Sequence, residues 1–116
     1  MGVYTLNIVA DSYSQEEIGR CQEGESLILK REPINSRDPN AVAVLRENGE
    51  QIGHLSREDA GWVARIMDDG TEVEARIKWV TGGTQDKTFY DVVIDINTRA
   101  EEKNSKKGLW RKIFGR

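Results

Sequence analysis

The sequence predicts a mainly β (α+β) domain of about six strands and two helices, folded as a small, strongly bent sheet or partly open barrel. Three observations carry this. Several short segments alternate apolar and polar residues with period two. Asn48-Gly49 lies between two apolar runs, a strong local hairpin signal because both residues tolerate positive φ. Two Ser-x-x-acid patterns, Ser14–Glu17 and Ser56–Asp59, mark helix starts.

The first strand is Val3–Ala10, with Tyr4, Leu6 and Ile8 on one face and Thr5 and Asn7 on the other. Asp11-Ser12-Tyr13 breaks it, and the capping-box pattern at Ser14 opens a short helix to about Arg20. Gly24 and Glu25 turn the chain into a second strand, Ser26–Arg31. Ala41–Arg46 and Glu50–His54 form the hairpin around Asn48-Gly49. A second helix runs from Ser56 to about Asp68, with Ala60, Val63, Ala64 and Met67 on one apolar face and Gly70 as its stop. Thr71–Val80 places Val73, Ala75, Ile77 and Trp79 inward, so Trp79 reads as core rather than platform. Gly82-Gly83 turns the chain. Thr88–Ile96 is the last strand, with Tyr90, Val92, Ile94 and Ile96 inward and Asp91 and Asp95 on the outward face.

A length of 116 residues fits one domain with a real core, and the apolar fraction is ordinary for a globular protein. The single cysteine, Cys21, rules out an intramolecular disulfide framework. A lone thiol, with no secretory signal or long apolar run, points to a reducing cytoplasm. Charge is unevenly placed. Residues 1–102 hold 11 basic and all 20 acidic residues, net −9, whereas residues 103–116 hold six basic residues and no acid. A body at −9 repels a long polyanion, so non-specific duplex binding by the folded part is disfavoured, although a local basic pocket remains open.

The most informative segment is Arg31–Ala41, the connection between the second strand and the hairpin. It holds both prolines of the chain, Pro33 and Pro39. Each fixes its own φ and drives the preceding residue toward extended backbone, so the loop is stiff. It presents Arg31, Asn35, Arg37, Asp38 and Asn40, a mixture of donors and acceptors. Two readings stand side by side: a ligand-presenting loop, or a rigid connection with solvated polar residues.

Catalytic chemistry is hard to find. His54 and Cys21 occur once each, which excludes a Cys/His metal cluster, and no nucleophile–base–acid set is legible. Gly82-Gly83 lacks the spacing of a phosphate loop, and Asp68-Asp69-Gly70 lacks the calcium-loop pattern. A non-enzymatic module without metal or cofactor is the expectation, with hydrolysis the weakest alternative.

From Arg31 to Leu55 the run REPINSRDPNAVAV, the Asn-Gly hairpin, IGHLSRE and a helix come in order, preceded by GESLILKRE and by Tyr13 after the first strand. This set, over roughly residues 4–96, resembles the HIRAN domain. The resemblance implies a modified oligonucleotide/oligosaccharide-binding (OB-like) barrel, here residues 1–98 followed by a basic, partly amphipathic tail at 99–116. HIRAN domains stand at the front of fork-remodelling helicases of the SWI2/SNF2 class and as small stand-alone bacterial proteins. In one such helicase the domain captures the 3′ end of single-stranded DNA. By position, Tyr13 corresponds to an aromatic that stacks on a terminal base. Asp38 corresponds to the acceptor for the 3′-hydroxyl, Asn35 to a base or sugar contact, and His54 and Arg57 to phosphate contacts. Arg37 stands where the family loop often carries a second aromatic; its guanidinium plane could stack and pair a phosphate, or the base clamp is abandoned. Ser12 replaces a basic residue, removing one phosphate contact.

The residues by themselves leave local alternatives: Tyr13 as a rim or core tyrosine, Asp38 as a turn cap, His54 as a satisfied strand-end histidine. The leading expectation is recognition of single-stranded DNA ends in repair or replication, with a helicase or nuclease as working partner. The alternative is an interaction adaptor using the tail. Leu109, Trp110, Ile113 and Phe114 form an apolar stripe flanked by cations, suited to a protein groove, nucleic acid or an anionic membrane surface.

Overall fold

The computed structural model describes residues 2–98. The tail reading, 99–116, lies outside the described residues. Six strands, β1 (Gly2–Ala10), β2 (Ser26–Arg31), β3 (Val42–Arg46), β4 (Gln51–Leu55), β5 (Val73–Thr81) and β6 (Asp91–Thr98), close into a barrel in the order β1-β4-β3-β2-β5-β6. All neighbours are antiparallel. The barrel is closed rather than partly open because β1 is shared. Its first part, Gly2↔Thr98 to Asn7↔Val93, pairs with β6, and its last three residues pair with β4, from Ile8↔Leu55 to Ala10↔Gly53. Closure leaves no free sheet edge among these strands.

Alternation explains the interior. Leu6, Ile8, Leu27, Val42, Val44, Ile52, Ala75, Ile77, Val92, Ile94 and Ile96 are buried in one cluster. The helix α2 (Arg57–Asp68) adds Ala60, Val63 and Ala64 to it, with Met67 packed alongside, which is the apolar face its spacing predicts. Ser56 caps this helix. Its Oγ accepts the Asp59 amide at 3.2 Å and its carbonyl accepts the Ala60 amide at 2.7 Å. Gly49 takes φ 93° in the β3–β4 turn, the conformation for which Asn-Gly is selected.

Several expectations change. The capping box at Ser14 does not form. Ser14 is buried in a 3₁₀ turn (Ser12–Ser14) and its side chain caps nothing, while α1 is a single turn, Gln15–Ile18. The Ser14 amide already donates to the Asp11 carbonyl at 3.2 Å, so Glu17 instead accepts Arg46 Nη1 at 2.8 Å and Asn48 Nδ2 at 3.1 Å, a stronger charge-assisted pairing. Trp79 is 43% exposed rather than core. A bulge at Lys78 sets Ile77 opposite Ile94 but Trp79 opposite Val93, so the inward parity of β5 flips and Val80 turns toward the core. Lys78 Nζ lies 5.2 Å from the Trp79 ring centre. Tyr4 is also exposed, lying beyond the filled core and packing its ring on Trp62 at 5.0 Å.

Asp95 is on the outer face of β6 as read, yet it is buried. Its carboxylate accepts the Thr5 hydroxyl at 2.6 Å and has Lys78 Nζ at 4.0 Å, so cross-strand partners cover it. The last strand begins at Asp91 rather than Thr88, because its ladder with β5 starts at Thr81↔Asp91; the connection before it holds a polar turn closed between Thr84 and Lys87. The barrel end beside that turn is tied to α1. Gln15 accepts the Tyr90 amide at 2.6 Å and donates to the Tyr90 carbonyl at 3.1 Å.

Candidate functional site

The proline loop leaves β2 at Arg31 and returns at Ala41, and its neck is closed by the Glu32 amide donating to the Ala41 carbonyl at 2.9 Å. Inside it, two short polar side chains replace the ladder. Asn35 Oδ1 accepts the amides of Arg37 at 2.8 Å and Asp38 at 3.1 Å. Asp38 Oδ1 accepts the Asn40 amide at 2.9 Å, and the Asp38 carbonyl accepts the Ala41 amide at 2.9 Å. These are the local side-chain-to-backbone bonds that Asn and Asp favour in turns. Asp38 is therefore a turn cap through Oδ1. Its Oδ2 is approached by Arg57 Nε at 4.0 Å.

The loop folds against β4 and the start of α2. Asn35, Arg37, Asp38, His54 and Arg57 together line one cavity of about 340 Å³, with Val9, Ala41 and Leu55 as its apolar wall. Five of the six residues singled out in the sequence thus meet in one place. Tyr13 is not in that lining. It projects from the 3₁₀ turn after β1, 80% exposed, so it is neither core nor covered rim. The nearby charge of Asp11 pushes its phenol above the usual tyrosine range, with lesser contributions from desolvation and a side-chain bond to Asp11.

Glu32 is the residue that sequence reasoning missed. Its Oε1 accepts Asn35 Nδ2 at 3.1 Å and meets His54 Nε2 at 2.9 Å. The His54 bond, with help from the Asn35 amide, holds the Glu32 carboxyl below the usual range. An ionised carboxylate only accepts, so His54 carries its proton on Nε2 and leaves Nδ1 for other contacts. Only the fold reveals this link, since Glu32 and His54 are 22 positions apart.

Arg57 is the first residue of α2 and is largely exposed, so its 4.0 Å approach to Asp38 adds little binding energy of its own. The helix start at this cavity also offers unpaired backbone N–H groups and a positive dipole end. The site therefore combines an acceptor (Asp38), cations (Arg37, Arg57), an imidazole and an exposed phenol. That mixture suits a ligand with both a hydroxyl donor and phosphates. Among the described residues no three His, Cys, Asp or Glu side chains gather as a metal site, and no helix is long and apolar enough to cross a membrane.

Residues 1–96 match the HIRAN domain family. This chain belongs to that family. The crystal structure of the HIRAN domain of human HLTF superposes with a TM-score of 0.68 at 28% identity, covering 84% of this chain and 74% of that one. The NMR structure of the HLTF HIRAN domain in its DNA-bound conformation gives 0.63 at 27% identity, covering 99% and 89%. In sequence, helicase-like transcription factor from Mus musculus is 47% identical over 51 residues, 44% of this chain and 5% of the relative. The Homo sapiens protein is 45% identical over the same length and shares. The chain thus matches a small part of these much longer relatives.

Proposed function

We propose that this HIRAN domain is a non-enzymatic DNA-binding module that captures single-stranded 3′ ends. The observation that carries the reading is Asp38. Asp38 lines a cavity shared with Arg37, His54 and Arg57; one carboxylate oxygen is spent on the loop, and the other stands 4.0 Å from Arg57 Nε. A terminal 3′-hydroxyl is a donor that this oxygen accepts; an internal phosphodiester offers none, and a 3′-phosphate is repelled. Arg37, Arg57 and His54 meet the phosphates preceding the terminus. Asn35 keeps one amide hydrogen for a base or sugar, and Tyr13 supplies a stacking face. The DNA-bound conformation recorded for the HLTF HIRAN domain supports the same ligand class.

This arrangement reconciles an acidic body with a nucleic-acid ligand, because recognition is of an end and not of a long duplex. The setting is repair or replication, beside a helicase or nuclease that acts on the captured end. The test is fluorescence anisotropy with oligonucleotides ending in 3′-hydroxyl or 3′-phosphate, for wild type, Asp38→Ala and Tyr13→Ala. Preference for the hydroxyl end, weakened by both substitutions, is the expected result. Equal or absent binding to both ends by wild type defeats the proposal.

A further inference from the structure

We infer that Arg31 is the positioning residue of the site, a clamp that holds Asp38 in register for a terminal hydroxyl; this rests on the reading above. In the sequence Arg31 looks like one of the side chains offered to ligand. In the structure all its donor nitrogens are engaged within the fold. Nε and Nη2 form a two-pronged pair with Asp68 at the end of α2, at 2.9 and 3.0 Å. Nη1 donates to the carbonyls of Pro39 and Ala41, both at 3.1 Å.

Those two carbonyls flank Asn40, whose amide is the donor held by Asp38 Oδ1. One planar guanidinium therefore ties the last turn of α2 to the returning arm of the loop, immediately after the residue assigned to the hydroxyl. Arg57 at the first turn of the same helix borders the same cavity. Asp38 belongs to the loop and Arg57 to the helix, so the clamp between the two sets the spacing between the acceptor and the cation. A lysine has one compact charge and cannot hold a carboxylate bidentately while reaching two carbonyls. The loop's own turns would survive its loss; their placement against α2 would not.

Two variants test this, Arg31→Lys and Asp68→Asn, the second at a half-exposed position where folding is safe. Amide exchange in the free protein should quicken at Asn40 and Ala41 at least tenfold in both. The preference for a 3′-hydroxyl over a 3′-phosphate oligonucleotide should fall at least fivefold, with thermal unfolding of Asp68→Asn little changed. A merely stabilising role would weaken both ends equally and leave the ratio alone. Wild type that prefers the hydroxyl end, beside variants that keep that preference within twofold, overturns the clamp and spares the functional reading. Wild type without any end preference overturns both.

Discussion

Asp38→Asn separates what the loop needs from what the ligand needs. An asparagine oxygen can still accept the Asn40 amide that Asp38 Oδ1 holds at 2.9 Å, and the Asp38 carbonyl bond to Ala41 is untouched. Stability should stay within about 0.5 kcal/mol of wild type, because the substitution keeps the loop's hydrogen bonds and loses only the long, exposed approach of Arg57. Binding should not. A hydrogen bond to a charged acceptor contributes about 1.5–3 kcal/mol and a neutral one roughly half that, so the 3′-hydroxyl end should bind about 4- to 12-fold more weakly.

The 3′-phosphate end should move the other way. The carboxylate's distance from Arg57, 4.0 Å, gauges how close a second charge comes. At that separation like charges repel by about 1 kcal/mol in water and about 4 kcal/mol at a protein-like dielectric, and the open mouth of the site favours the lower half of that range. Removing the charge therefore strengthens phosphate-end binding by about 1–2 kcal/mol, so the hydroxyl-to-phosphate preference should shrink at least roughly 20-fold. Anisotropy titrations of 5′-labelled oligonucleotides at one fixed salt concentration measure both ends. A folded Asp38→Asn protein that keeps the wild-type ratio refutes the reasoning.

Other outcomes test the fold and its electrostatics. Ile52 is fully buried on β4, and Ile52→Ala should cost about 2–5 kcal/mol in urea unfolding, so a cost below about 1 kcal/mol would mean the barrel interior is misassigned. The Glu32 carboxyl is held low by His54 and Asn35, so its contribution is present above the unfolded value near about pH 4.3 and is lost as pH falls through the lower folded value. Wild-type stability should accordingly fall more steeply than that of Glu32→Gln over acid pH; parallel curves count against the Glu32–His54 link. Burial pushes the Cys21 thiol to about 11, so its alkylation should accelerate only toward that pH, and a midpoint at the free-thiol value of about 8.5 contradicts its packing.

Local chemistry made much of this readable. Asn48-Gly49 announced its hairpin because few residues accept positive φ. Ala60, Val63 and Ala64 announced the buried face of α2 because helical spacing leaves little choice about which side is covered. The loop residues stood out because two prolines and the polar side chains of Arg31, Asn35, Arg37, Asp38 and Asn40 fall within eleven positions. Where the reading failed, the deciding partner lay far along the chain. Glu17 abandons its cap for Arg46, 29 positions away. Trp79 faces out because one bulged residue resets the parity of β5 against β6. Asp95 is covered by Thr5, 90 positions away.

The same division runs through the site. Which groups were available, an acid, an amide, an imidazole, two guanidiniums and a phenol, was set by residue identity and by turn chemistry acting over two or three positions. Which of them meet was decided by closure of the barrel. Closure brings Glu32 to His54, Arg31 to Asp68, and the loop to the first turn of α2, while Tyr13 stays outside the cavity lining. Backbone preferences act over a few residues and leave a local trace in the sequence. Contacts between strands and loops depend on register and twist summed over the whole sheet, and only the folded chain expresses that sum.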